Sequence, residues 1–219
     1  MHDTRDAELD DAAATFKILS KVDLASAFAR RDAVDIARQL TDRLIAREQR
    51  RLDEAFAAWR TGASAMDLER HLARYGRLGA LMADLLAQHT DYSLYDTVRR
   101  LDAVHPVLNP EFGQVLIDNA SCYYCRSHQY ELAQHWYLPV MLDRTRVMRA
   151  RLSADDRTPL TYGSEFSDAL HAKLLKTPLD SMRPTAQRTS EMLRKTLRAL
   201  ADVVGDEQKI GGGRTAVVK

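Results

Sequence analysis

The segment at residues 119–139, NASCYYCRSHQYELAQHWYLP, stands out because it gathers side chains that could do chemistry. It holds both cysteines of the chain, and Cys122, Cys125, His128, Glu131 and His135 follow one another at steps of three or four residues. On a helix such steps keep side chains on broadly one face. Thiolates, imidazoles and carboxylates are the ligands that zinc prefers. One hypothesis is therefore a metal-dependent helical enzyme that uses Cys122, Cys125 and His128.

Helix geometry argues against a metal site built from this segment alone. A helix rises about 1.5 Å per residue, so Cys122 and His128 stand roughly 9 Å apart along the axis. Bonds to zinc are only about 2–2.3 Å long, and no second cysteine pair exists to complete the site. We therefore prefer to interpret both cysteines as structural thiols in a core. Neither a metal nor any other cofactor is expected.

The same segment is rich in aromatic rings, and two interpretations of them stay open. The rings either fill the core of a helical bundle or form one wall of a carbohydrate cleft. Five rings between residues 123 and 137 are more than one buried face needs. On the second interpretation, the residues that contact a ligand are Tyr124, His128, Glu131, His135, Trp136 and Tyr137.

The elements that must position these side chains are predicted to be helices. Glycine is scarce, with 9 of 219 residues, and few stretches alternate with a period of two. We predict a single all-α domain, an irregular bundle of six or seven helices over residues 1–204, followed by a flexible C-terminal tail at 205–219. Pro139 lies inside a helical pattern and should kink or break that helix. The predicted helices cover residues 5–20, 32–60, 65–89, 94–103, 110–152, 164–176 and 185–204.

Finer features of several predicted helices follow from the sequence as well. Ser64 and Ser93 are expected to cap the helices that follow them, and Gly62 to end the helix before it. Gly79 indicates a close approach of a second helix. The charged run REQRRLDE at 47–54 is interpreted as a solvated helix face. A buried stripe is expected at Ile36, Leu40, Leu44, Leu52, Phe56 and Trp59, and a second at Leu68, Leu72, Tyr75, Gly79, Met82 and Leu86.

Composition and charge exclude several classes of protein. A net charge of +1, with both signs intermixed along the chain, leaves no electrostatic footprint for nucleic acid or a membrane surface. No apolar run reaches the roughly 18 residues of a transmembrane helix, and the acidic start, MHDTRDAELDD, is not a targeting peptide. We therefore expect a cytoplasmic chain as it stands, with neither a nucleic-acid nor a membrane partner.

Residues 32–103 are similar to a known helical domain. The stretches DAVDIARQLTDRLIAREQRRLDEAFAAWRTG and LERHLARYGRLGALMADLLAQHTDYSLYDTVRRL resemble the C-terminal all-α domain of α-N-acetylglucosaminidase-type glycoside hydrolases. Tyr137-Leu138-Pro139 resembles the end of that family's aromatic helix. The family's Asn-Ala-Arg and Gln-Trp-Ser-Gly segments are not both present, and the region after residue 150 has no counterpart. The matching positions in the first stretches are Val34-Asp35, Arg38-Gln39, Leu40, Phe56, Trp59, Gly62, Asp84-Leu85-Leu86-Ala87 and Tyr92.

The resemblance implies an accessory role. In this family the catalytic carboxylates lie on a preceding (β/α)₈ barrel, so the chain would not be catalytic alone. It would pack on a barrel domain or subunit and help wall a cleft for an N-acetylglucosamine-containing glycan. The parent enzyme could be secreted. The alternative is a stand-alone helical interaction or scaffold protein with no small-molecule site.

Overall fold

The structure is a computed structural model that describes residues 9, 11–104, 115, 118–119, 129–161 and 163–211, with the backbone alone at 207–211. The described residues contain helices and turns but no β-strand, which confirms the all-α class. None of the described helices is long and apolar enough to cross a bilayer. In chain order the helices are α1 (Ala12–Leu19), α2 (Ala27–Arg60), α3 (Ala65–Leu86), α4 (Leu94–Val104), α5 (Tyr130–Leu132), α6 (Leu138–Ser153), α7 (Glu165–Lys176) and α8 (Ser190–Gly211).

The frame of the molecule is the hairpin of α2 and α3, and its ends follow from capping chemistry. Gly62 has a φ of +108°, a conformation that favours glycine. The N–H of Gly62 bonds to the carbonyl of Trp59, and the N–H of Ala63 bonds to that of Ala58. This pattern is a Schellman end. The hydroxyl of Ser64 then accepts a hydrogen bond from the N–H of Met66 at 3.2 Å, as predicted for an N-cap.

Two clusters of apolar side chains lie along this hairpin. One is formed where α2 and α3 meet α6, with the side chains of Leu52, Phe56, Trp59, Leu68, Leu72, Tyr75, Met141 and Met148. The other is formed where α2 and α3 meet α1 and α8, and includes Phe16, Val34, Ala37, Leu44, Leu78, Leu85, Leu193, Leu197 and Leu200. The hairpin therefore contributes to both cores, because its two apolar stripes run the full length of the helices.

The predicted stripe on α2 is wrong at Ile36, which is 45% exposed. Val34 and Ala37, three residues apart, are fully buried and take the inward positions instead. The stripe on α3 is confirmed at every position. Gly79 does lie at a close approach, since a Cβ there would be 2.8 Å from Sδ of Met141 on α6.

The last helix differs from its prediction at both ends. α8 begins at Ser190 and runs to Gly211, whereas the pattern placed it at 185–204. Residues 205–211 are thus helical, and the predicted tail is wrong for that part. Residues 212–219 lie outside the described residues, so for them the tail stays a prediction.

Candidate functional site

The predicted ligand-contact residues divide into two groups. Glu131, His135, Trp136 and Tyr137 are described, while Tyr124 and His128 lie outside the described residues. Cys122 and Cys125 lie outside them as well. Within the described part of the chain, no group of three or more histidine, cysteine or carboxylate side chains could hold a metal ion. The hypothesis of a metal centre at Cys122, Cys125 and His128 therefore stays a prediction.

A π-helical turn over Ala133–Tyr137 positions the described candidates. The N–H of Leu138 bonds to the carbonyl of Ala133, five residues earlier, where an α-helix would bond four residues back. Pro139 explains the irregularity. It has no N–H, and its ring would clash with the carbonyl of His135 in a regular helix. The interruption predicted at Pro139 thus takes the form of a widened turn that carries His135, Trp136 and Tyr137.

Glu131 is a capping residue held inside the protein. Its side chain is fully buried. One carboxylate oxygen accepts hydrogen bonds from the Ser93 hydroxyl at 2.8 Å and the Tyr95 N–H at 3.0 Å, and the other accepts from the Leu94 N–H at 2.9 Å. These donors belong to the start of α4, where a negative charge also suits the helix dipole. Glu131 therefore ties α5 to α4 and does not face a cleft.

Burial dominates the electrostatics of Glu131. Removal from water raises the pKa of its carboxyl group above the usual value, because the charged form loses solvation. The hydrogen bonds from Tyr95, Leu94 and Ser93 oppose this shift. Since these three donors occupy the carboxylate, the group has a structural role at this position.

The two large rings of the π turn pack against α7. The indole of Trp136 stacks on the His171 ring, with centroids 4.6 Å apart and planes 19° apart. Its Nε1–H donates a hydrogen bond to the Ser167 hydroxyl at 3.1 Å. The ring of Tyr137 lies 4.9 Å from that of Trp136. Both rings are only partly buried, and they pack beside an apolar cluster of Leu94, Leu132, Leu174 and Met182.

His135 differs from Glu131, Trp136 and Tyr137 because it lines a pocket. The pocket has a volume of about 290 Å³ and lies between the π turn, α7 and the 3₁₀ turn at Leu179–Met182. Burial, and then the positive charge of Lys173, lower the pKa of His135, which favours the neutral imidazole. The other polar side chains of the pocket are Gln134, Lys173, Thr177 and Ser181.

A second polar centre lies on the hairpin of α2 and α3, in the charged run interpreted as a solvated face. That interpretation is wrong for Arg47 and Glu48, which are 3% and 1% exposed. Oε1 of Glu48 is 2.7 Å from Nδ1 of His71, and Oε2 is 3.4 Å from Nε of Arg74. Glu48 remains buried because these two basic side chains offset the loss of water.

The spacing of the sequence contains a signal for this buried carboxylate. Glu48 stands four residues after Leu44 and four before Leu52, so it occupies a position on the predicted buried stripe. A charged residue at such a position needs a partner. The alternation of charge signs around Glu48 favours a solvated face and so conceals this register. The partner, His71, is on another helix and cannot be found from local spacing.

These residues border a broad concavity of the described structure. We call it the arginine groove: it lies between α2, α3 and α8 and has a volume of about 690 Å³. Its ionisable side chains are Arg51, Glu54, Asp67, Arg70, His71, Arg74, Arg77 and Asp206, and the alanines Ala55, Ala58, Ala63 and Ala73 line it as well.

No protein-family model matches the chain, and no curated protein or solved structure was found to be similar to it.

Proposed function

We propose that this chain is an accessory helical domain of a glycoside hydrolase of the α-N-acetylglucosaminidase type. It packs on a catalytic (β/α)₈ barrel and contributes to the wall of the sugar cleft. The observation that carries the proposal is the polar pocket beside the π turn. It lies at the Tyr137-Leu138-Pro139 end to which the resemblance assigns the cleft wall, and His135 and Pro139 both line it.

The chemistry of this pocket suits a sugar. Sugars need hydrogen-bond donors and acceptors next to apolar surface, and pockets that bind small molecules combine the two. A neutral His135 offers one ring nitrogen as acceptor, while the N–H of its ring bonds to the backbone of Met182. Gln134, Thr177 and Ser181 add amide and hydroxyl groups, while Leu170, Leu174 and Met182 supply the apolar surface.

The arrangement of the helices also supports the proposal. The residues that carry the resemblance, 32–103, fall on α2, α3 and α4 in the expected order. The sugar contacts that we propose differ, however, from the set predicted from the sequence. We propose His135 as the main contact, because Glu131 is occupied by the start of α4 and Trp136 is engaged with Ser167 and His171.

A fluorescence titration tests the sugar contact. The Trp59→Phe variant leaves Trp136 as the sole tryptophan, next to the π-turn pocket. We expect N-acetylglucosamine to change its emission saturably, and Lys173→Gln to weaken this response. Lys176→Gln, on the same helix but outside the pocket, is the matched control. A separately prepared barrel domain of this enzyme class should also co-migrate with the chain in size-exclusion chromatography. Absence of both effects contradicts the proposal.

A second candidate is a stand-alone helical interaction protein without a sugar site. The stacking of Trp136 on His171 favours it, because this ring packs against the chain's own α7. The titration separates the two candidates. The interaction protein is supported if N-acetylglucosamine leaves the Trp136 emission unchanged and the chain does not co-migrate with the barrel domain.

A further inference from the structure

The arginine groove is separate from the π-turn pocket, since the two share no lining residue. We propose that the arginine groove binds a small hydroxy acid. Its guanidinium groups hold the carboxylate, Nε2 of His71 shares a hydrogen bond with the hydroxyl, and the alanine side chains contact the apolar part. This inference does not depend on the sugar-binding proposal.

The orientation of His71 defines the first requirement of the ligand. The buried Glu48 carboxylate accepts a hydrogen bond from Nδ1–H of His71, so the second ring nitrogen, Nε2, is left for a ligand. The His71 side chain is 18% exposed and lines the groove. A hydroxyl suits Nε2 in either protonation state of the ring, because a hydroxyl can both donate and accept a hydrogen bond.

The arginines define the second requirement. Four guanidinium groups line the groove, from Arg51, Arg70, Arg74 and Arg77. Their forked N–H donors match the two oxygens of a carboxylate. The carboxylates of Glu54, Asp67 and Asp206 line the groove as well, and Asp67 pairs with Arg70. A guanidinium has five N–H donors, so an arginine that already pairs with one carboxylate can still donate to a ligand.

The surroundings of Arg74 hold charges of both signs. Burial lowers the pKa of its guanidinium, Glu48 raises it, and the charges of Arg47, Arg51 and Arg70 lower it. A bound anion beside Arg74 would offset the repulsion among these arginines. The alanines Ala55, Ala58 and Ala73 leave room beside it and offer methyl groups to an apolar body. The volume of the groove is within the usual range for small ligands.

Calorimetric titration of the full chain with three matched probes tests the proposal. Mandelate carries a ring, a hydroxyl and a carboxylate; phenylacetate lacks the hydroxyl, and benzyl alcohol lacks the charge. We expect mandelate to bind. Phenylacetate should bind about tenfold more weakly, because it leaves Nε2 of His71 without the hydroxyl partner. Benzyl alcohol should show no measurable binding.

Variants then assign the two contacts. In His71→Asn the amide can replace the Nδ1–H donor to Glu48 but has no group at the place of Nε2, so the preference for mandelate over phenylacetate should disappear. Arg70→Gln should weaken both acids about tenfold, the effect of losing one charge-assisted hydrogen bond. Arg146→Gln is the control, because Arg146 also pairs with a carboxylate three residues away but lies outside the groove. Circular dichroism checks that each variant is folded.

Three results overturn the proposal. The first is no binding of mandelate at millimolar concentration by the folded wild-type chain. The second is equal binding of mandelate and phenylacetate, and the third is binding that Arg70→Gln and Arg146→Gln weaken alike. Failure of the N-acetylglucosamine titration has no bearing on this result, because that titration reports on the pocket at His135.

Discussion

At the scale of single residues, Glu131 shows how a carboxylate at a promising position can have a structural role. Its spacing from His128 and His135 predicts a ligand contact. Instead, its carboxylate accepts hydrogen bonds from three donors at the start of α4. Nothing in the local pattern distinguishes the two roles, because the donors come from residues almost forty positions earlier in the chain.

Replacing Glu131 by Gln should destabilise the fold. The amide retains one oxygen but presents N–H₂ where the other oxygen accepts from the backbone, so a buried donor is left without an acceptor. We expect a loss of about 1–3 kcal/mol in the free energy of unfolding, measured by urea denaturation. Glu191→Gln is the control, since Glu191 is an exposed acid in the first turn of α8. Equal effects of the two variants would contradict the capping role.

Tyr92 provides a pH-dependent prediction. Its hydroxyl donates to Oδ1 of Asp35 at 3.0 Å, and burial together with this bond raises the pKa of Tyr92 to about 12 from 10.0. The unfolded chain therefore loses this proton first, so the stabilising contribution of Tyr92 is complete below pH 10.0 and declines as the pH rises towards 12.

The titration of Tyr92 can be followed by tyrosinate absorbance, with Tyr92→Phe subtracted. Asp35→Asn should shift it to lower pH, because the negative charge that opposes ionisation is removed. Asp91→Asn is the control, since Asp91 is adjacent in sequence but pairs with Arg31 and Arg100. A Tyr92 titration unaltered by Asp35→Asn would rule out the assigned cause.

At the scale of elements, Gly79 and Gly205 are two helical glycines in contrasting surroundings. A Cβ at Gly79 would lie 2.8 Å from Sδ and 2.9 Å from Cε of Met141, and 3.2 Å from Cδ1 of Leu138. At Gly205 no atom lies within 4 Å of a built Cβ. The first position is thus a contact between α3 and α6, and the second is an open helix surface.

Alanine at these two positions should have opposite effects. Gly79→Ala should lower the free energy of unfolding by about 1–3 kcal/mol, because the tips of Met141 and Leu138 have to move. Gly205→Ala should raise it by about 0.4–1 kcal/mol, because alanine restricts the unfolded chain and suits a helix. Thermal denaturation measures both. A neutral or stabilising Gly79→Ala would show that α6 adapts without cost.

Local chemistry predicts helices well in this chain, and it fails where a partner lies on another element. Ser64, Ser93 and Gly62 can be recognised as helix ends because capping depends on the next few residues. The burial of Glu48 depends on His71, 23 residues away, which no local period reveals. At Pro139 the sequence predicts an interruption but not its form, since kinks and π turns relieve the same clash.

At the scale of the whole molecule, the hairpin of α2 and α3 links two cores and carries the arginine groove. The π-turn pocket lies elsewhere, between the π turn, α7 and the 3₁₀ turn at Leu179–Met182. The two proposed sites are therefore built from different helices. A variant at one site can serve as the folded control for the other, which keeps the two binding experiments independent.

The capping of α4 by Glu131 has a consequence for the order in which the chain is made. Residues 94–104 are synthesised well before residue 131, so the first N–H groups of this helix have only Ser93 and water as acceptors when they emerge. The Glu131 carboxylate, which accepts from these N–H groups in the folded protein, is synthesised later, with α5. A chain that stalls before Glu131 should hold this helix loosely, and proteases that act on nascent chains should cut it there.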